Sequence, residues 1–205
     1  MRARSFLHVS LAVVAFAVAC HLGARSAASQ ASESTAVGTE EQTFGRINVS
    51  AGIIYTNGDV KPAARIAMYL LDERARGYLE RVGNAIPPKD LKRLHFGGTE
   101  PAGWALSGFR QCVRFERYNK KDAACAETVR ESLLSCAIAA TRTGFDGKAV
   151  LDSLPPAKYY VFAEITTQKV NRISGRFMDD PHFWFASVVV RGGPQELVLD
   201  NNSLW

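Results

Sequence analysis

The sequence predicts a mostly β fold with a helical insertion (α+β): a seven-strand β-sandwich interrupted by an inserted helical hairpin. Three observations carry this reading. Thr143 to Ile165, TGFDGKAVLDSLPPAKYYVFAEI, runs as a turn, a short strand, a proline corner and a long alternating strand. Period-two alternation also marks residues 44–55 and the AARIAMYLLD segment that follows Pro62. Between that second strand and the third, over about 72–138, the apolar period becomes helical. Seven short strands separated by turn signals suit a sandwich. Helices with apolar stripes must pack on something, so they are expected to cover one face or end of it.

The elements follow in chain order. FGRINVSAGIIY alternates weakly and reads as a strand, and Thr56-Asn57-Gly58-Asp59 reads as a turn in which Asn-Gly reaches positive φ cheaply. In the next strand Ala64, Ile66, Met68 and Leu70 face one way and Arg65, Ala67, Tyr69 and Leu71 the other. Ala75, Tyr78, Leu79 and Val82 then recur at helical spacing, Pro87-Pro88 breaks the chain, and DLKRLHF suits one more helical turn. Segments 101–118 and 122–140 read as two further helices around a polar break at Tyr118–Lys121, with Asp122 as the cap of the second. Thr141 to Gly144 is extended, Phe145-Asp146-Gly147 is a tight turn, and Lys148 to Leu151 is a short strand. After the Leu154-Pro155-Pro156 corner, Tyr159, Val161, Ala163 and Ile165 oppose Tyr160, Phe162, Glu164 and Thr166. Asn171 to Pro181 reads as a polar loop, and Phe183–Val190 and Glu196–Leu199 as the last strands.

The N-terminus carries targeting information. Arg2 and Arg4 precede an apolar run from Phe6 to Ala19 that is too short for a comfortable membrane span and is followed by small residues, which is the pattern of a secretory signal over 1–29. Two processing routes compete. Ala17-Val18-Ala19-Cys20 resembles a bacterial lipobox, which would make Cys20 a lipidated N-terminus, although Ala17 stands where leucine is usual. The other is ordinary cleavage after Ala28 or Ser29. Either exports the chain, to the periplasm or the cell exterior. Residues 30–42, rich in Ala, Ser and Thr, read as a flexible tether, leaving 43–205 as one domain.

The net charge of +5 is modest and its signs are interspersed, which gives no support to a nucleic-acid role; the membrane enters only through the signal or a lipid anchor. Cys112, Cys125 and Cys136 survive any processing. In a helical hairpin centred near Asn119, Cys112 and Cys125 fall almost opposite each other, whereas Cys125 and Cys136 lie roughly 16 Å apart along one helix, beyond the ~7 Å Cα separation a disulfide spans. The expectation is a Cys112–Cys125 disulfide with Cys136 buried as a thiol.

Catalytic signals are weak. There is no GxSxG, and no cysteine pair or histidine spacing of a metal site, so neither a cofactor nor a metal is expected. His182 beside Asp179 and Asp180 is a loop cluster without diagnostic spacing. Glu127 and Glu131, with Arg130 between them, read as a solvated helix face, and Asp146 as a turn residue offering too few oxygens for calcium. The aromatic residues are the better candidates: Tyr160, Phe162 and Trp184, if they share an outer strand face, form either a surface covered by the helices or an exposed platform for a sugar ring or a partner protein.

The block Thr143, Asp146, Gly147, Leu154, Pro155, Pro156, Tyr159 and Tyr160 resembles carboxypeptidase regulatory-like domains, which are transthyretin-like β-sandwiches. Gly58–Leu71 looks like that family's opening, and Trp184–Asn202 like the closing strands of related bacterial secreted proteins. The likeness covers about 95 residues in two blocks and omits the insertion. Ala157 departs from it, standing where the family has glycine. The resemblance implies a transthyretin-like sandwich without catalytic activity, related to carbohydrate-binding-like folds. The expected function is therefore that of an envelope interaction or accessory module whose partner is an envelope protein or a glycan, with a carbohydrate-binding module using an aromatic strand face as the alternative.

Overall fold

The computed structural model describes residues 43–55, 58–87, 90, 99–170, 175 and 177–205. Eight strands and three helices are present among them: β1 Gly45–Ile54, β2 Val60–Pro62, β3 Ala67–Leu71, α1 Glu73–Asn84, α2 Pro101–Phe115, α3 Lys120–Leu134, β4 Ala137–Arg142, β5 Lys148–Leu154, β6 Ala157–Val170, β7 Phe177–Val190 and β8 Gly193–Leu199. The strands form two sheets. In the first, β1 pairs antiparallel with β5 and β2 and parallel with β8; the second has the antiparallel order β4-β3-β6-β7.

The helices lie between β3 and β4 in sequence, where the change of period places them. Asp72 caps α1 by accepting from the Arg74 amide at 3.0 Å. Asn119, one turn earlier than expected, caps α3 by accepting from the Asp122 amide at 2.8 Å, and Asp122 instead supplies first-turn negative charge. The helix ends at Leu134, because Ala137 to Arg142 pair with β3 and period two has already returned there.

Three strand boundaries differ from expectation. β2 is a three-residue strand between the Thr56–Asp59 turn and the AARIAMYLLD segment, where no strand was expected, and it is the eighth strand. β3 begins at Ala67 because Ala64-Arg65 turns, with Arg65 at φ 59°. Buried Thr143 secures that turn: its hydroxyl donates to Ala63 O at 2.6 Å and accepts from the Ile66 amide at 2.8 Å. Of the segment read as a polar loop, Phe177 to Pro181 are strand. β6 and β7 pair without interruption from Ala157–Val190 to Val170–Phe177, whereas β3 pairs with β6 only as far as Ala163. The hairpin therefore runs on past the sheet as a two-stranded arm.

At the proline corner, Ala157 pairs in register with Val190 and has no positive φ, so alanine is unstrained there. The left-handed residue is Ser153, at φ 56°, whose amide donates to Asp152 Oδ1. Gly147 does require its glycine: φ is +75°, and a Cβ would lie 2.3 Å from Ala51 O.

The second sheet is the middle layer of three. Met68, Leu70, Tyr159, Val161, Ala163, Trp184 and Val190 meet Ile47, Val49, Leu151 and Leu199 of the first sheet in one core. Leu71, Tyr160, Phe162 and Phe183 meet Ala75, Leu79, Phe109, Val129 and Leu133 of the helices in another. Being buried on both faces gives these strands nearly continuous apolar runs. The first sheet's outer face carries polar pairs, with Arg46 Nη2 2.8 Å from Asp152 Oδ2 and Asn48 Nδ2 donating to Glu196 Oε1 at 2.7 Å, beside the exposed Val150 and Val198.

Candidate functional site

The helical layer is braced in two ways. A disulfide joins Cys112 of α2 to Cys125 of α3, with Cα atoms 5.8 Å apart. Cys136 is buried, and its Sγ donates to Ser132 O at 3.4 Å. Arg130, expected on a solvated face, instead projects inward as a fork: Nε and Nη2 donate to Glu164 of β6 at 2.8 and 2.9 Å, and Nη2 also reaches Glu116 at 3.2 Å. These carboxylates, Glu164 first, raise its pKa above the ordinary guanidinium value despite partial burial. Helix periodicity could not reveal this, since Glu164 lies thirty-four positions away.

The aromatic residues divide differently from the expected shared face. In the β6–β7 register Trp184 is opposite Ala163, while Phe162 is opposite Phe185 and Tyr160 opposite Ser187. Trp184 thus points into the core between the sheets, where its Nε1 donates to Asp200 O at 2.9 Å. Tyr160 and Phe162 point towards the helices together with Phe183 and Phe185. Tyr160, Phe162 and Trp184 are 3%, 1% and 0% exposed, so they form no exposed platform. The physical reason is alternation. Residues two apart share a face, and Trp184 is offset by one from Phe183 and Phe185.

The helical layer does not cover the whole middle sheet. Over Phe183 it is closed, with Phe109 4.6 Å away between ring centroids. Towards Phe185 and Ser187 it runs out, leaving an open cleft of about 430 Å³. Phe185, Tyr160 and Ser187 line it from the sheet, Ala102, Gly103 and Leu106 from α2, Arg76 from α1, and Trp205 from the chain end. Thr99 and Glu100 complete the rim.

Four of these side chains are held in place. The Phe185 ring stacks on Tyr160 at 5.2 Å and 19°. Tyr160 Oη donates to the Glu73 carboxylate, 3.1 Å from each oxygen. Trp205 lies parallel to Phe183 at 6.5 Å and 4°, and its amide donates to Phe183 O at 2.8 Å. Arg76 Nε donates to Glu80 Oε1 at 2.7 Å and Nη2 to Glu100 Oε2 at 3.2 Å. Glu80, then Tyr160, raise the Arg76 pKa still further, so its charge is permanent. A second hollow of about 230 Å³, lined by Arg110, Asn202, Ser203 and Leu204, flanks the other side of Trp205.

The remaining candidates do not assemble a reactive centre among the described residues. His182 Nε2 is 3.3 Å from Asp180 Oδ2 and its Nδ1 is 3.3 Å from Trp205 O, while Asp179 pairs with Arg117. Asp146 Oδ1 accepts from the Lys148 amide at 3.1 Å, as a turn residue does. No group of three or more His, Cys, Asp or Glu is placed to hold a metal among the described residues, and no helix there is long and apolar enough to cross a membrane. Cys20, the signal, the tether and the part of DLKRLHF after Asp90, which holds His95, lie outside the described residues.

Sequence reasoning named Tyr160 but missed Arg76, Glu100, Phe185 and Ser187 as a group. The Arg76–Glu80 spacing of four was visible; the approach of Glu100 and the end of helical cover are products of tertiary packing.

No protein-family model and no curated protein matches the chain. Among solved structures, it is similar to a candidate carbohydrate-binding protein from Pseudomonas aeruginosa, at 14% identity and a TM-score of 0.44, over 79% of this chain and 91% of that one. It is also similar to the minor pilin GBS52 of Streptococcus agalactiae (9%, TM-score 0.35, 78% of this chain and 44% of that one). A third likeness is to the shaft pilin SpaA of Lactobacillus rhamnosus GG (10%, TM-score 0.28, 77% and 50%).

Proposed function

We propose that the protein is an exported, non-catalytic module of the bacterial cell envelope, a transthyretin-like sandwich that acts by binding an envelope protein or glycan. The Cys112–Cys125 disulfide is the observation that carries this reading, because such bonds persist in oxidising compartments. It agrees with the signal-like N-terminus, where cleavage before Cys20 would leave a lipid anchor and cleavage after Ala28 or Ser29 would leave none. The helical insertion, pinned by the disulfide and by the Arg130 fork, is the surface proposed to meet the partner. The alternative of sugar binding on an aromatic strand face loses its support, since Tyr160, Phe162 and Trp184 are buried.

Expressing the full chain in a bacterium, alkylating thiols at lysis and weighing the protein in each cell fraction tests the proposal. The expected product lies outside the cytoplasm, is shortened at Cys20 with lipid mass or after Ala28 or Ser29, and has Cys112 and Cys125 protected. A full-length cytoplasmic chain with both cysteines alkylated refutes it.

A further inference from the structure

We infer that the cleft between Phe185, Trp205, Arg76 and Glu100 is a binding site for the pyranose ring of a neutral saccharide. The inference rests on the reading of the protein as an exported binding module and supplies a ligand class for it.

The chemistry of the lining selects the ligand. A pyranose has apolar C–H faces and a rim of hydroxyl groups that each donate and accept. The cleft offers matching partners: the partly exposed rings of Phe185 and Trp205 for the faces, and for the rim a guanidinium that only donates, a carboxylate that only accepts, and the Ser187 and Thr99 hydroxyls that do both. Arg76 and Glu100, the two charged residues of the lining, are 3.2 Å apart and of opposite sign. An anionic ligand would meet Glu100, with Glu73 behind Tyr160, and an organic cation would meet Arg76. A polar ligand without net charge satisfies both.

Shape and rigidity agree. About 430 Å³ lies within the usual size range of small-molecule sites. The cleft is open on one side, so a ring can enter as part of a longer chain. Both aromatic walls are fixed before a ligand arrives, Phe185 by Tyr160 and Trp205 by Phe183 and the backbone bonds between them. Arg76 is held by two carboxylates, so little side-chain freedom remains to be lost. This site differs from a strand-face platform in using a tryptophan from the chain end and charged side chains from the helical layer.

The tryptophans provide an internal control. The Trp184 indole is sealed between the sheets, whereas Trp205 lines the cleft. The exported protein, labelled with nitrogen-15, is titrated with glucose, galactose, mannose, N-acetylglucosamine and cellobiose, and with glucuronate as the charged comparison, while the indole N–H signals are followed. The expected result is a saturable shift of the Trp205 signal with at least one neutral sugar, at a Kd of about 1 mM or tighter, with the Trp184 signal unmoved. Ser187→Phe, which fills the cleft from an exposed strand position, should weaken binding at least about tenfold. Glu100→Lys, at a side chain 69% exposed, should do the same by replacing the carboxylate acceptor with a second cation beside Arg76. If Ser187→Phe fails to fold, Glu100→Lys alone decides. No response of Trp205 to any neutral probe, tighter binding of glucuronate than of glucose, or an unchanged titration in the folded variants would overturn the inference. None of these outcomes alters the export and thiol-protection result, so the site and the envelope reading fail separately.

Discussion

Replacing Cys112 and Cys125 together with serine removes the covalent brace of the helical layer and leaves its packing in place. The bridge joins residues 13 apart in sequence. Closing a loop of that length restricts the unfolded chain by about 3 kcal/mol in the chain-entropy account. For a domain of this size each kcal/mol moves the midpoint by about 2–4 °C, so the double variant should melt roughly 6–12 °C below the oxidised parent. Differential scanning calorimetry of the chain from Thr43 onward, before and after a reductant, measures this, and reduction of the parent should reproduce the variant. A thiol titration accompanies it. Cys136 is 1% exposed, so the oxidised protein should show no reactive thiol when native and a single one in denaturant. Three thiols on unfolding, or a midpoint shifted by less than about 2 °C, would refute the reasoning from the structure to the brace, and with it the main support for an oxidising compartment.

Gly147→Ala should cost more than about 2 kcal/mol in urea unfolding, from left-handed strain and from a Cβ driven to 2.3 Å from Ala51 O. Thr143→Val should cost about 2–4 kcal/mol by orphaning Ala63 O and the Ile66 amide, and Thr143→Ser should recover most of it; equal losses in the two variants would exclude the hydrogen bonds as the cause. Phe162→Ala should cost about 3–5 kcal/mol and reduce the near-ultraviolet circular dichroism of the aromatic cluster. Alkali gives the last test. Burial raises the Tyr159 phenol above its ordinary value of 10.0 while its hydroxyl donates to Pro155 O, so the unfolded chain releases this proton first. Stability from Tyr159 is then complete below pH 10 and declines as the pH rises through the folded value, and Tyr159→Phe should flatten that decline in a pH series of denaturation midpoints.

Local signals were legible wherever one residue type or one period decides the structure. The Asp-Gly turn at 146–147, the alternation of 159–166 and the helical stripe of Ala75, Tyr78 and Leu79 all correspond to observed elements. The disulfide partners follow from helix geometry alone, because a hairpin leaves only one pair close enough. What was hidden depends on neighbours distant in sequence. The assignment of Trp184 to the core between the sheets is set by its register opposite Ala163. β7 begins at Phe177 because a continuous β6 ladder outweighs the poor strand propensity of Asp179, Asp180 and Pro181. The cleft is hidden for the same reason: nothing local to Phe185 says that α2 ends its cover there.

The middle sheet, shared by two cores, makes the domain cooperative in a way that limits what can be removed from it. Alternate side chains of β3, β6 and β7 serve different cores, so slipping one strand by a single position would empty both at once. Cutting out the helices would not yield a smaller sandwich. It would leave Tyr160, Phe162 and Phe183 in water as a continuous aromatic sheet face, adhesive to any similar surface. The insertion is thus one wall of the domain, and the sandwich and helices are expected to unfold as one unit.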